Sequence, residues 1–151
     1  MGQVINLFSP SEEINLEQYK DQLPGHMYEN LKELLVCGPG DIARTLFWGG
    51  EFVGAIKLAY RHQREVGFIR CEALCPIEQY LLPAVEEGVA EFIRLCFGTY
   101  RRLDVIHWNA HPEDQWKHQV CQALAFDELP PAQAFVHHGV RYRSFALKRL
   151  P

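Results

Sequence analysis

Residues 65–102 read EVGFIRCEALCPIEQYLLPAVEEGVAEFIRLCFGTYRR. The segment opens on a short apolar run of Val, Phe, Ile and Leu, which suits a strand in a covered sheet. It closes with Val85, Val89, Phe92, Ile93, Cys96 and Phe97 at helical spacing, with Glu86, Glu87, Glu91 and Arg94 between them. That pattern predicts an amphipathic helix from about Pro83 to Phe97 whose apolar stripe lies on something flat. A strand, a short loop and a helix place a helix N-terminus at the C-terminal edge of a sheet. Its unpaired N–H groups and positive dipole end suit an anionic ligand. The stretch marks a candidate site without naming a reaction.

Working outward, Val4 to Phe8 reads as a first strand. Ser9, Pro10 and Glu12 stand as N-cap, N1 and N3 of a capping box, and open a helix with Leu16, Tyr19 and Leu23 on one face. A second helix runs from about His26 to Val36 with Met27, Leu31, Leu34 and Leu35 on one side, and Gly38-Pro39-Gly40 stops it. Ile42 to Trp48 and Glu51 to Tyr60 read as a hairpin joined at Gly49–Gly50. Arg61 to Arg64 form a polar turn into the central strand. Beyond the central helix, Leu103 to Trp108 is a strand candidate, and His111-Pro112-Glu113 begins a helix with Trp116, Val120 and Leu124 facing the core. Pro130–Pro131 breaks the chain, and Ala134 to Leu150 is extended around Gly139, as two strands or one bent strand. This order predicts one α/β (α+β) domain with a mixed, mostly antiparallel sheet and helices on both faces. The strand ending near Leu74 and the strand Leu103 to Trp108 should be parallel neighbours across a right-handed crossover.

The 151 residues carry 48% hydrophobic and 23% charged side chains and a formal charge of −4. That length and composition suit a single globular domain with a real core. The balance is not basic enough to make nucleic acid the expected partner, nor acidic enough for disorder. No apolar run approaches membrane-spanning length, and Met1 to Pro10 lacks the pattern of a signal peptide. Cys37, Cys71, Cys75, Cys96 and Cys121 form no CxxC pair. Free buried thiols in a reducing, cytoplasmic compartment are the expectation.

Several pieces together resemble the GNAT superfamily of N-acyltransferases. GGEFVGAIKL (49–58) is similar to that family's second and third strands. IRCEALCP (69–76) resembles its fourth strand, which ends in a Pro before the cofactor loop. ALAF, Ala123 to Phe126, stands where the family usually has a Leu-Gly-Phe after its fourth helix, and GVRYRSFALKRL (139–150) resembles its closing strand. The resemblance implies an acetyl-CoA or other acyl-CoA co-substrate, no metal, and an amine acceptor on a small molecule or a protein. It implies cofactor contacts at Leu74, Gln79, Leu81, Leu82, Ala84 and Asn109. The family's loop has Gln or Arg, two residues, Gly, one residue, then Gly or Ala. Gln79 and Ala84 fit that pattern, while Leu82 replaces the central Gly and Pro83 removes a donor. Leu82 therefore either points into the space a pyrophosphate would fill or packs beneath the helix.

Acyl transfer to an amine needs a base for the ammonium and an acid for the departing thiolate. The resemblance implies Glu72 as base; the structural alternative is a pair with an Arg on a neighbouring strand. In the position of the family's acidic Tyr stands Cys121, whose simplest reading is a buried structural thiol. His107, His111, His118, His137 and His138 complete no zinc spacing. His107 or His111 is a candidate base at the sheet edge. Arg141 and Arg143, two apart on a strand, share one face and could meet a phosphate or a carboxylate, though a solvated strand face is the simpler reading, and Trp48, Trp108 and Trp116 read as core or cleft lining. Glu72, Trp108 and Asn109 are expected to line a cleft where the two parallel strands splay. The departures at Leu82 and Cys121 leave an alternative to an enzyme: a GNAT-like domain without catalysis, acting as a binding or structural subunit. A small α/β protein unrelated to the family stays open as a third reading.

Overall fold

The structure, a computed structural model, describes residues 5–8, 21, 25–49, 51–61, 63–73 and 79–150. The helix expected to open at Ser9 lies outside them, Asp21 apart, as does Leu74. The order begins β1 (Ile5–Phe8), α1 (Gly25–Leu35), β2 (Ile42–Trp48), β3 (Glu51–Arg61) and β4 (Val66–Ala73). It continues with α2 (Leu82–Thr99), β5 (Val105–Ala110), α3 (Gln115–Ala123) and β6 (Asp127–Glu128). It closes with β7 (Val136–His137), β8 (Val140–Arg141) and β9 (Arg143–Lys148). The main sheet runs β1-β2-β3-β4-β5-β9-β6. Its pairs are antiparallel except β4–β5, the parallel pair that α2 joins.

Period-2 burial along β4 and β5 assigns the two faces. Ile69, Cys71, Ile106, Trp108 and Ala110 face the main core with Ile56 and Leu58 of β3. The stripe of α2 covers them, with Val85, Val89, Phe92 and Cys96 buried, and α3 adds Val120 and Cys121. On the opposite face Leu31 and Leu34 of α1 pack on Ala55. Helices thus cover both faces, and the alternation of buried side chains along the strands is what lets one sheet serve two layers. Gly54 of β3 lies opposite Ala73, and a Cβ there would collide with the Glu72 carbonyl and the Ala73 backbone. The strands that carry Glu72 close up only because this position has no side chain.

Some boundaries differ from the sequence expectation. The strand expected at Leu103 starts at Val105, because Leu103 closes a turn with its N–H on the Tyr100 carbonyl. The helix expected from His111 starts at Gln115. Before it, the His111 ring accepts the Glu113 N–H at 3.1 Å and the Asp114 N–H meets the His111 carbonyl at 2.9 Å, a local turn that competes with the helix. The last extended stretch divides into a small hairpin and a sheet strand. The hairpin β7–β8 turns at His138–Gly139, whose φ of 50° and 76° suit a type I′ turn. β6 was not read from sequence. Among the described residues no helix is long and apolar enough to cross a membrane.

Candidate active site

β4 and β5 pair from Val66–Val105 to Ile69–Trp108 and no further, although both strands run on. β5 stays paired to β9 up to Ala110–Arg143, so the opening is between β4 and β5. A cavity of about 810 Å³ lies there. Arg70 and Glu72 line it from β4, Trp108 and Asn109 from β5, and Lys117 from α3. Glu33 of α1 closes one side, and Phe135, His137 and Tyr142 of the β7–β8 hairpin form the other.

Lys117 is the feature that sequence reasoning missed. It is 7% exposed, and its Nζ lies 3.0 Å from Asp114 Oδ2 and 3.8 Å from Glu72 Oε1. Burial works against its charge. The carboxylates of Glu72 and Asp114 outweigh that and hold its pKa above the ordinary lysine value. The expected alternative for Glu72, an Arg on a neighbouring strand, is not its partner; the Lys117 ammonium is. The signal was present in the spacing. Lys117, Val120, Cys121 and Leu124 fall at i, i+3, i+4 and i+7, which puts a lysine at the head of an apolar stripe.

The next residue, His118, is also buried, and its site is built from hydrogen bonds. Arg143 Nη1 donates to Nδ1 at 3.1 Å, so Nε2 carries the proton and donates to the His111 carbonyl at 3.0 Å. Burial, with Arg143 beside it, lowers the pKa of this imidazole. Arg143 in turn grips Glu128 with two bonds of 2.8 and 2.7 Å, so it is not the solvated strand face that was the simpler expectation. Arg141 sits apart and exposed on β8. His107 stacks on Phe68 at 5.4 Å, and burial lowers its pKa.

Cys121 is not brought to the cavity. Its thiol is fully buried in the main core, and burial pushes its pKa up to about 12. Cys71 behind Glu72 is raised to about 12 in the same way. Both are core thiols that hold their protons.

At the start of α2, Leu81 and Leu82 are 5% and 7% exposed and belong to the main core, as does Ala84. Of the two orientations open to Leu82, the structure has it packed beneath the helix. The helix start is therefore clear of that side chain, and no side chain caps it. The Val85 N–H is already engaged by the Leu81 carbonyl at 3.1 Å, and Pro83 has none to give. Gln79 is exposed and reaches Gln119 of α3 at 3.5 Å.

No protein-family model matches the chain, and no curated protein matches it in sequence. Solved structures match the fold. The microcin C7 self-immunity acetyltransferase MccE, solved with acetyl-CoA and AMP, aligns at a TM-score of 0.69 and 10% identity over 97% of this chain and 93% of that one. The aminoglycoside acetyltransferase AAC(6')-Ib, solved with coenzyme A, aligns at 0.68 and 11% over 98% and 95%. The Campylobacter jejuni N-acetyltransferase PseH with acetyl coenzyme A aligns at 0.61 and 12% over 97% and 100%. At these identities the likeness is one of fold, along nearly the full length of each chain.

Proposed function

We propose that this chain, which has the fold of the GNAT superfamily, is an acyl-CoA-dependent N-acyltransferase acting on an amine of a small molecule or a protein. The observation that carries the reading is the meeting of the Glu72 carboxylate and the Lys117 ammonium where β4 and β5 part. The acyl-CoA supplies an activated acyl group. Its contacts would come from Gln79, Leu81, Leu82 and Ala84 at the start of α2 and from Asn109 in the cavity; the family resemblance adds Leu74, which lies outside the described residues. Backbone N–H groups at an uncapped helix start suit a pyrophosphate, and Leu82, turned into the core, leaves room for it. Glu72 takes the proton from the acceptor ammonium, directly or through water. Lys117, with its pKa raised, stays charged at neutral pH. It favours the negative charge that develops as the amine attacks and the sulfur departs. Cys121, buried in the core, takes no part; the sulfur leaves as a thiolate beside Lys117, one turn earlier on the same helix, and takes its proton from water.

Acetyl-CoA should raise the melting temperature in step with its concentration over Kd. With a panel of amines and lysine peptides, thiol release should fall about a hundredfold or more in Glu72→Gln and Lys117→Met, with acetyl-CoA affinity nearly unchanged. No response at about millimolar acetyl-CoA would remove the transferase reading. A second reading then stands, a binding or structural subunit without catalysis. It is favoured by the donor missing from the loop at Pro83.

A further inference from the structure

The cavity beside Glu72 does not end at Phe68. A second cavity, of about 740 Å³, shares Phe68, Asn109 and Phe135 with it and continues to the β3–β4 turn. The two differ in charge. The first is lined by the carboxylates of Glu33, Glu72 and Asp114 with Arg70 and Lys117 paired to them, three acidic groups against two basic. The second is lined by Arg61, Arg64 and Gln63, with no carboxylate. Elsewhere the arginines that border this region are engaged, Arg70 by Glu33 at 3.7 Å and Arg143 by Glu128. Among the described residues Arg61 and Arg64 have no ion-pair partner, and both are exposed. Backbone hydrogen bonds tie the described residues of the turn that holds them. The Arg64 N–H bonds to the Arg61 carbonyl at 3.1 Å, and the Asp104 N–H bonds to the Glu65 carbonyl at 2.8 Å.

The junction between the two ends is aromatic. Phe68 is 36% exposed and lies stacked on His107. Phe135 is 43% exposed and braced edge-on by Tyr142 at 5.3 Å. Two large apolar rings left open on the shared stretch of a groove fit a flat, apolar ligand body. Two unpaired guanidinium groups beyond them fit a carboxylate or a phosphate.

We propose that the acceptor is an amine joined through an aromatic ring to an anionic group, with the amine toward Glu72, the ring between Phe68 and Phe135, and the anion at Arg61 and Arg64. The amine end rests on the acyltransferase reading; the ring and the anion rest on the groove alone.

Four probes separate the parts: 4-(aminomethyl)benzoate, 4-(aminomethyl)phenyl phosphate, benzylamine and 6-aminohexanoate. Their binding is measured calorimetrically on the full chain, with and without coenzyme A. At least one anionic aromatic probe should bind tenfold or more tightly than both benzylamine and 6-aminohexanoate. Which of the two does so distinguishes a carboxylate from a phosphate. The double variant Arg61→Gln/Arg64→Gln should bring that probe down to the level of benzylamine and leave benzylamine unchanged. Phe135→Ala should weaken every ring-bearing probe several-fold. These side chains are exposed, so the variants are expected to fold. Equal affinity across the probes, a preference that survives the double variant, or no binding by any probe overturns the assignment, even where acetyl-CoA binds. Probe binding in this order with no response to acetyl-CoA sustains the groove and removes the transferase.

Discussion

Ala125 follows α3 with φ of 64°, a left-handed conformation that costs a residue with a Cβ about 1–2 kcal/mol. It is held there by a paired closure of the helix. The Phe126 N–H meets the Cys121 carbonyl at 2.9 Å and the Ala125 N–H meets that of Gln122 at 3.2 Å. Ala125→Gly should therefore raise stability by about 1 kcal/mol in a thermal melt, against the usual loss when glycine enters a chain. Leu82→Gly should do the opposite, costing about 2–5 kcal/mol because the side chain is part of the core, with no gain in coenzyme A affinity in a titration. At this scale the family resemblance set Leu82 where a glycine was expected but not which way it points, since orientation is set by what α2 rests on. The resemblance marked Glu72, on the central strand, as a base. Lys117 was passed over, because a lysine on a helix is ordinarily solvated and its burial depends on two carboxylates from different segments.

Arg149, one residue beyond β9, ties the end of the chain to the end of α2. Its guanidinium donates to the carbonyls of Phe97 at 2.9 Å, Tyr100 at 2.6 Å and Leu103 at 2.8 Å, and lies over the Phe97 ring at 4.8 Å. The last carbonyls of a helix lack intrahelical partners, and a cation there also meets the negative dipole end. Arg149→Ala should lower stability by about 1–3 kcal/mol, seen as an earlier urea midpoint with an unchanged slope. Arg149→Lys should recover little of it, because a single ammonium does not reproduce the planar fork. The long elements were legible from their periods: α2 through its stripe, β2–β3 through Gly49–Gly50. β6 was not, since two residues carry no period. Nor was the register at which β4 and β5 part, which depends on how two distant strands meet.

His107 and His118 tie the whole molecule to pH. Burial lowers both below the ordinary value of 6.5, and for His118 a second proton would also face the Arg143 guanidinium. The unfolded chain then binds more protons as pH falls through 6.5. Their contribution is complete above that value and shrinks below it toward the folded pKa. Glu128, held low by Arg143, adds a further loss below its ordinary 4.5. Unfolding free energy measured from pH 8 to 4 should begin to fall near 6.5, and His107→Gln/His118→Gln should flatten that first step while leaving the one due to the carboxylate. The mixed, mostly antiparallel sheet with helices on both faces followed from the order of elements. The two-ended groove did not, because its walls come from α1, the β3–β4 turn and the β7–β8 hairpin. That hairpin pairs with itself in a sheet of its own and is anchored by the Phe135 N–H on Ser144 Oγ and the Tyr142 N–H on the Phe135 carbonyl. Its length is independent of the main sheet's register. A lineage can lengthen or trim it at His138–Gly139, and so retailor which guests the groove admits, while the register of the main sheet is left as it was.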